Sequence, residues 1–255
     1  MVLDNFNGFA NYNALNVIAR HQSNDVSLLA AYTWSKGMDI QSSTSGVTGD
    51  AGGFIGVQDN HNPHGDYARS SYDVGQRLAV SFVYAIPVGR GRKVLQDAPR
   101  ALDEVIGGWQ FDGIAIYQGG FPFSITATDL GFVNEAYGER ADQVGTPYPS
   151  GFHKSITEWF NTSAFAQPAA GDFGNSSRNV IRMPGVANWD LSLLKSFTLP
   201  EKASLQFRFE SFNAFNHPQF GLPNQSVTSA TFGTISTLNA YHPAREDQVG
   251  LRLTF

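Results

Sequence analysis

Two histidines and one carboxylate lie close together between residues 60 and 66, and they are the clearest candidates for chemistry. His61, His64 and Asp66 could bind a divalent metal ion, because imidazole nitrogens and carboxylate oxygens are common metal ligands. The spacing fits no standard zinc motif, and Pro63 prevents a helix that would present both histidines on one face. A solvated loop is therefore the preferred interpretation, and metal binding is the alternative.

A second group of ionisable residues lies between residues 208 and 217. Arg208, Glu210 and His217 carry groups that serve in acid–base catalysis, but no nucleophile accompanies them. Arg208 and Glu210 are two residues apart, so they share one face of a strand and can form an ion pair there. We interpret them as a charge pair that faces water, and His217 as part of a structural turn.

The remaining motifs do not indicate an enzyme. Residues 89–92 read Gly-Arg-Gly-Arg, but the Gly-Lys-Ser/Thr of a phosphate-binding loop does not follow. The chain has no Gly-x-Ser-x-Gly elbow and no cysteine, so it offers no thiolate nucleophile and no cysteine ligand for zinc. The sequence therefore predicts a protein that is not an enzyme, with no catalytic residue, no cofactor and no metal site.

Composition restricts the fold class. The chain has 255 residues, which is enough for one large β domain over residues 1–255. Only 15% of the residues are charged and the net charge is −5, so no basic surface for nucleic acid is expected. No apolar run approaches the ~20 residues that a membrane-spanning helix needs.

Alternation of apolar and polar residues predicts β-strands along much of the chain. Residues 248–255 are the clearest case, because Val249, Leu251, Leu253 and Phe255 occupy one face of a two-residue period. Such a strand fits either a soluble β-sandwich or a membrane barrel, in which the apolar side meets lipid. The pattern predicts seven long strands, over residues 12–21, 26–36, 74–87, 109–128, 189–199, 203–216 and 248–255.

Two finer expectations concern the middle of the chain. A cap residue, an early proline and a closing glycine predict a short helix over residues 97–107. Apolar residues occur on both faces of the strand that starts at Trp109, so Gly113 is expected to form a bulge that exchanges the faces. Residues 121–128 are expected to continue this strand beyond a kink.

The lengths of the predicted connections distinguish the two ends of the strands. The first, third and fifth connections are short or moderate, whereas the second, fourth and sixth are long and irregular. Alternate connections of consecutive antiparallel strands lie at the same end. Short periplasmic turns at one end and long extracellular loops at the other are the plan of an outer-membrane barrel. The sequence therefore favours the membrane barrel over the sandwich.

Four segments resemble the C-terminal barrel section of TonB-dependent outer-membrane receptors. They are residues 32–36 (YTWSK), 107–114 (GGWQFDGI), 209–221 (FESFNAFNHPQFG) and 251–255 (LRLTF). The similarity is strongest to the Oar-like group, whose members carry a carboxypeptidase-regulatory-like domain, and it extends in order over nearly the whole chain. It implies a Gram-negative cell outer membrane, a barrel of about 22 strands, a plug domain and energy supplied through TonB.

The chain is shorter than such a receptor. It shows no signal peptide, TonB box or plug, and it has about a third of the strands. We therefore expect an incomplete, all-β, antiparallel transmembrane β-barrel section whose extracellular loops capture a solute for uptake. Its expected partners are outer-membrane lipid, the barrel-assembly machinery, the missing N-terminal strands and plug, and TonB through these. A soluble, secreted, glycan-binding module is the alternative.

The barrel interpretation assigns a role to individual residues. The lipid-facing residues are Leu78, Val80, Phe82, Leu205, Phe207, Phe209, Val249, Leu251 and Leu253, and the lumen-facing residues are Gln206, Arg208, Glu210 and Arg252. An aromatic girdle is expected from Tyr32, Trp34, Trp109, Trp189 and Phe197. The resemblance implies that the barrel-assembly machinery reads the terminal Phe255.

Several aromatic residues fall in the long connections. They are Phe54, Tyr67, Phe132, Tyr137, Trp159, Phe165 and Phe173. We expect them to pack the connections against each other, because compact loops need apolar side chains of their own. Stacking on a ligand at the outer mouth is the alternative.

Overall fold

The computed structural model describes residues 8–42, 57–59, 61–131, 139–200, 203–239 and 243–255. Its long strands are β1 (Ala10–Gln22), β2 (Val26–Asp39), β3 (Gln76–Ala85), β4 (Trp109–Gln118), β5 (Val186–Thr198), β6 (Ser204–Phe212) and β7 (Glu246–Thr254). The described residues also form the helix α1 (Arg100–Ile106) and two 3₁₀ turns, Pro63–Asp66 and Thr162–Ala164. None of these helical segments is long and apolar enough to cross a membrane. The predicted all-β class is confirmed.

The seven long strands form one antiparallel sheet, in which each strand pairs with the next one along the chain. The connections 23–25, 86–108 and 199–203 therefore lie at one end of the sheet, which we call the short-connection end. The connections 40–75, 119–185 and 213–245 lie at the other, the long-connection end. The predicted segregation of loops is confirmed. Within the described residues, β1 and β7 do not pair with each other, so the sheet is open.

The register of the sheet sorts its side chains into two faces. Residues directly opposite each other share a face, as in the pairs Leu205–Leu253 and Phe207–Leu251 of β6 and β7. Followed across all strands, this face is mainly apolar, with polar residues mostly toward the strand ends, and we call it the apolar face. Its larger apolar members are Leu15, Val17, Val26, Leu28, Tyr32, Trp34, Met38, Leu78, Val80, Phe82, Tyr84, Trp109, Phe111, Tyr117, Trp189, Leu191, Leu193, Phe197, Leu205, Phe207, Phe209, Val249, Leu251 and Leu253.

The expected bulge at Gly113 is wrong. Gly113 pairs in unbroken register with Phe82 on one side and Leu191 on the other, so the faces do not exchange. A Cβ atom at this position would lie 2.6 Å from the Phe82 ring and 2.8 Å from Leu191 Cδ2. The glycine therefore leaves room for two large neighbours on the apolar face. The apolar Ile114 next to it simply lies on the opposite, polar face.

The expected extension of β4 over residues 121–128 is also wrong. Two-residue strands form there instead, with Pro122–Phe123 pairing with Ile181–Arg182 and Thr126–Ala127 with Glu139–Arg140. Two similar pairings occur nearby, Asp142–Gln143 with Phe165–Ala166, and Ala68–Arg69 with the end of β2. Strands this short carry no readable alternation, because a two-residue period needs several repeats.

The long connections, predicted to be irregular, pack into one compact unit at the long-connection end. We call the described residues of 40–75, 119–185 and 213–245 the loop body. Its core consists of side chains that are at most 6% exposed, namely Phe123, Ile125, Ala141, Phe160, Ala164, Phe165 and Ile181. Phe232, from the last long connection, packs edge-on against Phe160 with ring centroids 5.2 Å apart. Burial of this apolar surface stabilises the loop body.

Candidate membrane face and loop body

The apolar face is open to its surroundings. None of the nine residues predicted to face lipid is buried, and at the β6–β7 edge the exposed fractions reach 67% for Val249 and 71% for Leu251. No second sheet covers this face in the part of the chain that the structure describes. A soluble sandwich would bury these side chains between two sheets. The geometry therefore suits a surface that meets an apolar environment outside the chain.

The predicted girdle residues lie at the two ends of the apolar face. Tyr32, Trp34 and Trp189 lie toward the long-connection end, where the Trp189 indole donates a hydrogen bond to the Tyr117 hydroxyl over 2.7 Å. Tyr32 and Trp34 also line a groove of about 700 Å³ beside the loop body. The remaining girdle residues, Trp109 and Phe197, lie toward the short-connection end, and Phe255 is fully exposed beyond β7.

The opposite face, which we call the polar face, carries hydrogen-bonded charges. Glu210 accepts hydrogen bonds from Arg208 over 2.5 Å and from Gln248 over 2.6 Å, so the predicted ion pair is formed. Gln206 and Arg252 pair across the β6–β7 ladder on this same face. Asp112, Asp190 and Glu210 line a groove of about 420 Å³ between them. The polar face can therefore contact water and polar solutes.

Three arginine–aspartate pairs join the connection 119–185 to the end of β2 and to the connection 40–75. Each arginine comes from the connection 119–185, and each aspartate comes from β2 or the connection 40–75; the pairs are Arg178–Asp39, Arg140–Asp66 and Arg182–Asp73. The Arg178 side chain is only 1% exposed. It also donates to the Asp39 carbonyl over 2.8 Å and to Ser42 Oγ over 3.0 Å. Because a buried charge needs a partner, these pairs fix how two loops meet.

The residues first considered for metal binding do not come together as a group of three ligands among the described residues. Asp66 is buried and paired with Arg140, whereas His61 is exposed, with Nδ1 3.4 Å from an oxygen of Asp59. The His64 ring lies 5.0 Å from that of Phe9. Asn60 lies outside the described residues, and within them no group of three or more metal-binding side chains occurs.

His217 belongs to a turn at the long-connection end. Its backbone N–H donates to Asn213 Oδ1 over 3.0 Å, and the Asn213 amide donates back to the His217 carbonyl over 3.1 Å. Asn213 and Asn216 both have positive φ, 48° and 50°, a conformation that asparagine tolerates better than most residues. The turn ends β6 four residues earlier than the sequence pattern predicts.

The loop aromatics mostly pack within the loop body. Phe165 is buried against Phe160, with ring centroids 5.7 Å apart, and the Trp159 indole donates to the Arg182 carbonyl over 2.7 Å. Tyr67 lies 5.0 Å from Phe9, centroid to centroid, and Phe173 is exposed. Phe54, Phe132 and Tyr137 lie outside the described residues. Packing therefore accounts for Tyr67, Trp159 and Phe165 but not for Phe173.

A buried carboxylate in the loop body has an unusual environment. Glu139 is 2% exposed, and its Oε1 accepts a hydrogen bond from the Gly174 backbone N–H over 2.6 Å. Its Oε2 has no hydrogen-bond partner among the described residues. Burial raises the pKa of Glu139 above the ordinary 4.5, against the opposing effect of the Gly174 hydrogen bond. The folded loop body therefore favours the protonated carboxyl.

The substitution Glu139→Gln is expected to reduce the pH dependence of loop-body stability. The raised pKa stabilises the wild-type fold fully below the unfolded-state pKa, and this contribution is lost as the pH rises through the folded-state pKa. Glutamine keeps the acceptor for Gly174 and carries no titratable proton. Protease resistance of the loop body measured from pH 4 to pH 8, about the range over which perturbed carboxyls titrate, should fall in the wild type and stay flatter in the variant. Equal slopes would contradict this assignment.

These features define the class of protein. An antiparallel sheet of consecutive strands, with an uncovered apolar face, a polar opposite face and long loops at one end, is the wall of an outer-membrane β-barrel. Residues 2–248 match the family described as "Outer membrane beta barrel domain", and the chain belongs to that family. The family places the protein in the outer membrane. The comparison with curated proteins gave no match, and neither did the comparison with solved structures.

Proposed function

We propose that the chain forms wall and extracellular capture loops of a TonB-dependent receptor barrel of the Oar-like kind, which takes up a solute through a Gram-negative outer membrane. The observation that carries this proposal is that the long connections 119–185 and 213–245 share one apolar core, and that ion pairs join the connection 40–75 to the same body. The body sits at one end of a sheet whose apolar face is uncovered. A folded unit at the mouth of a barrel can present a fixed surface to a solute.

Each part of the sheet has a role in this proposal. The apolar face, including the nine residues predicted to face lipid, contacts the acyl chains, and Tyr32, Trp34, Trp109, Trp189 and Phe197 lie at the two interfaces. Gln206, Arg208, Glu210 and Arg252 face the lumen. Further strands and a plug complete the barrel and couple it to TonB, and the assembly machinery reads Phe255. The chain itself performs no catalysis.

The orientation can be tested by labelling single cysteines, because the chain has none of its own. Val144 is exposed in the loop body, and Val94 is exposed in the connection 86–108 at the opposite end. In the full gene product in its native cells, Val144→Cys should react with a membrane-impermeant maleimide. Val94→Cys should react only after the outer membrane is permeabilised. The reverse pattern would overturn the orientation, and recovery of the protein in the soluble fraction would favour the secreted module.

Transport can be tested before the solute is identified. Mass spectrometry of a complex growth medium would compare the parent strain, a strain lacking this gene and a strain lacking TonB. We expect at least one solute that the parent depletes to remain in the medium of both mutant strains. If every solute depleted by the parent is also depleted by the strain lacking this gene, the uptake role is wrong.

A further inference from the structure

A charged residue lies within the central, apolar part of the apolar face. Lys195 lies on β5 between Leu193 and Phe197, and in the register it is opposite Trp109 on one side and Phe207 on the other. The residue is only 4% exposed. A lysine at such a position normally extends its amine toward water. Here the structure covers it instead, near the short-connection end.

The helix α1 provides the cover. The Lys195 Nζ donates to the carbonyl oxygens of Val105, over 3.0 Å, and Gly107. The Trp109 indole donates to the same Val105 carbonyl over 3.0 Å. The last carbonyls of a helix have no partner within it, so two side chains of the apolar face satisfy them. The C-terminal end of α1 is therefore held on the apolar side of the sheet.

The helix α1 is amphipathic although it is short. Leu102, Val105 and Ile106 are spaced three and four residues apart and form one stripe, and Arg100 and Glu104 lie on the other side. Val105 is 66% exposed and Leu102 is 44% exposed. No described element covers this apolar stripe, although it lies beside the apolar face.

The connection around α1 is held in place locally. The Arg90 backbone N–H donates to Asp103 Oδ1 over 2.6 Å. A Cβ atom on Gly89 or on Gly107 would lie 2.4 Å from that same oxygen, so both glycines allow close approach. Lys93 in turn donates to Asp25, in the neighbouring connection, over 2.6 Å. The apolar stripe is therefore presented by a fixed segment.

We propose that the connection 86–108 is a membrane-interface anchor, in which α1 lies among the phospholipid headgroups of the periplasmic leaflet with its apolar stripe against the acyl chains. The inference rests on the proposed lipid contact of the apolar face, because α1 continues that face at its periplasmic edge. Amphipathic helices bind such interfaces through buried apolar side chains and basic residues. The connection supplies basic residues at Arg90, Arg92, Lys93 and Arg100. Lys195 positions the C-terminal end of α1 through its hydrogen bonds to the Val105 and Gly107 carbonyls.

Fluorescent labels on single cysteines can measure this contact. The full gene product would carry a label at Val105, Glu104, Leu193 or Ser192, and each variant would be reconstituted in vesicles of phosphatidylethanolamine and phosphatidylglycerol with brominated acyl chains. Bromine should quench the Val105 and Leu193 labels and spare those at Glu104 and Ser192, which lie on the opposite sides of the helix and the sheet. A quenched Leu193 label with an unquenched Val105 label would overturn the anchor and leave the proposed wall intact. An unquenched Leu193 label would overturn the wall, and the anchor with it.

The substitution Lys195→Met tests how α1 is positioned. We expect quenching of the Val105 label to fall, because methionine cannot donate to the two helix carbonyls and only the Trp109 hydrogen bond to Val105 remains. The Leu193 label should stay quenched, which shows that the sheet is still assembled. Lys195→Arg keeps donors at this position and should restore quenching at Val105. Unchanged quenching in Lys195→Met would show that Lys195 does not position the helix.

Discussion

The substitution Arg178→Ala is expected to destabilise the loop body by about 3–5 kcal/mol, the usual result of removing one partner from a buried ion pair. Its guanidinium pairs with the Asp39 carboxylate and donates to the Asp39 carbonyl and to Ser42. Alanine would leave that carboxylate buried without a counter-charge. Since Asp39 ends β2, the loss should separate the connection 119–185 from the sheet while the strands remain assembled.

Limited proteolysis of intact cells would measure this effect, because the proposed loop body faces outward. Cleavage within residues 119–185 should become much faster in Arg178→Ala, while the strands remain protected in the membrane. Arg245→Ala is the matched control. The Arg245–Asp247 pair has an N–O distance of 3.6 Å and an arginine side chain that is 49% exposed, and exposed pairs contribute only about 0–1 kcal/mol. Equal cleavage rates in the two variants would contradict the role assigned to Arg178.

The substitution Leu193→Arg is expected to impair membrane assembly, and Ser192→Arg is expected to be tolerated. Leu193 lies on the apolar face between Phe111 and Phe209, about midway between the two girdle ends. An arginine near the midplane of the lipid-facing surface costs about 2–4 kcal/mol. Ser192 lies at the same depth on the polar face, opposite Asp112 and Glu210. An arginine there gains carboxylate neighbours and remains in water.

The amount of folded full gene product in the outer-membrane fraction measures assembly and distinguishes these two variants. Their positions are adjacent, so a general effect of arginine on folding would reduce both equally. A greater loss for Ser192→Arg would place the lumen on the apolar side and reverse the assignment. Equal losses would remove the evidence for two distinct environments.

The long strands could be predicted because apolar and polar residues alternate over enough positions to identify the two faces of each strand. In β7, Val249, Leu251 and Leu253 alternate with polar residues, and the register places all three on the apolar face. The two ends of the sheet could be distinguished from the connection lengths, because alternate connections of consecutive antiparallel strands lie at the same end. These features depend only on neighbours in sequence, so a single chain is enough to infer them.

The particular contacts of the loop body could not be predicted, because they join distant parts of the chain. Arg178 and Asp39 are 139 positions apart, and nothing in either local sequence indicates the partner. The same holds for Phe232, which joins a core built mainly from the preceding long connection. Lys195 did leave a signal, because it breaks the apolar alternation of β5. The sequence could not show that a helix from another connection would satisfy its amine.

The direction of the edge strands limits how this barrel can close. β1 and β7 both run toward the short-connection end, so they would meet side by side in the same sense and could not continue the alternating ladder. The open edges of β1 and β7 must still be paired, because backbone groups left without partners in hydrocarbon cost several kcal/mol each. Closure with antiparallel pairs throughout, as in bacterial outer-membrane barrels with their even strand numbers, therefore requires an odd number of additional strands between these edges. A second copy of the sheet in the same orientation fails this requirement, because its β1 would run alongside β7.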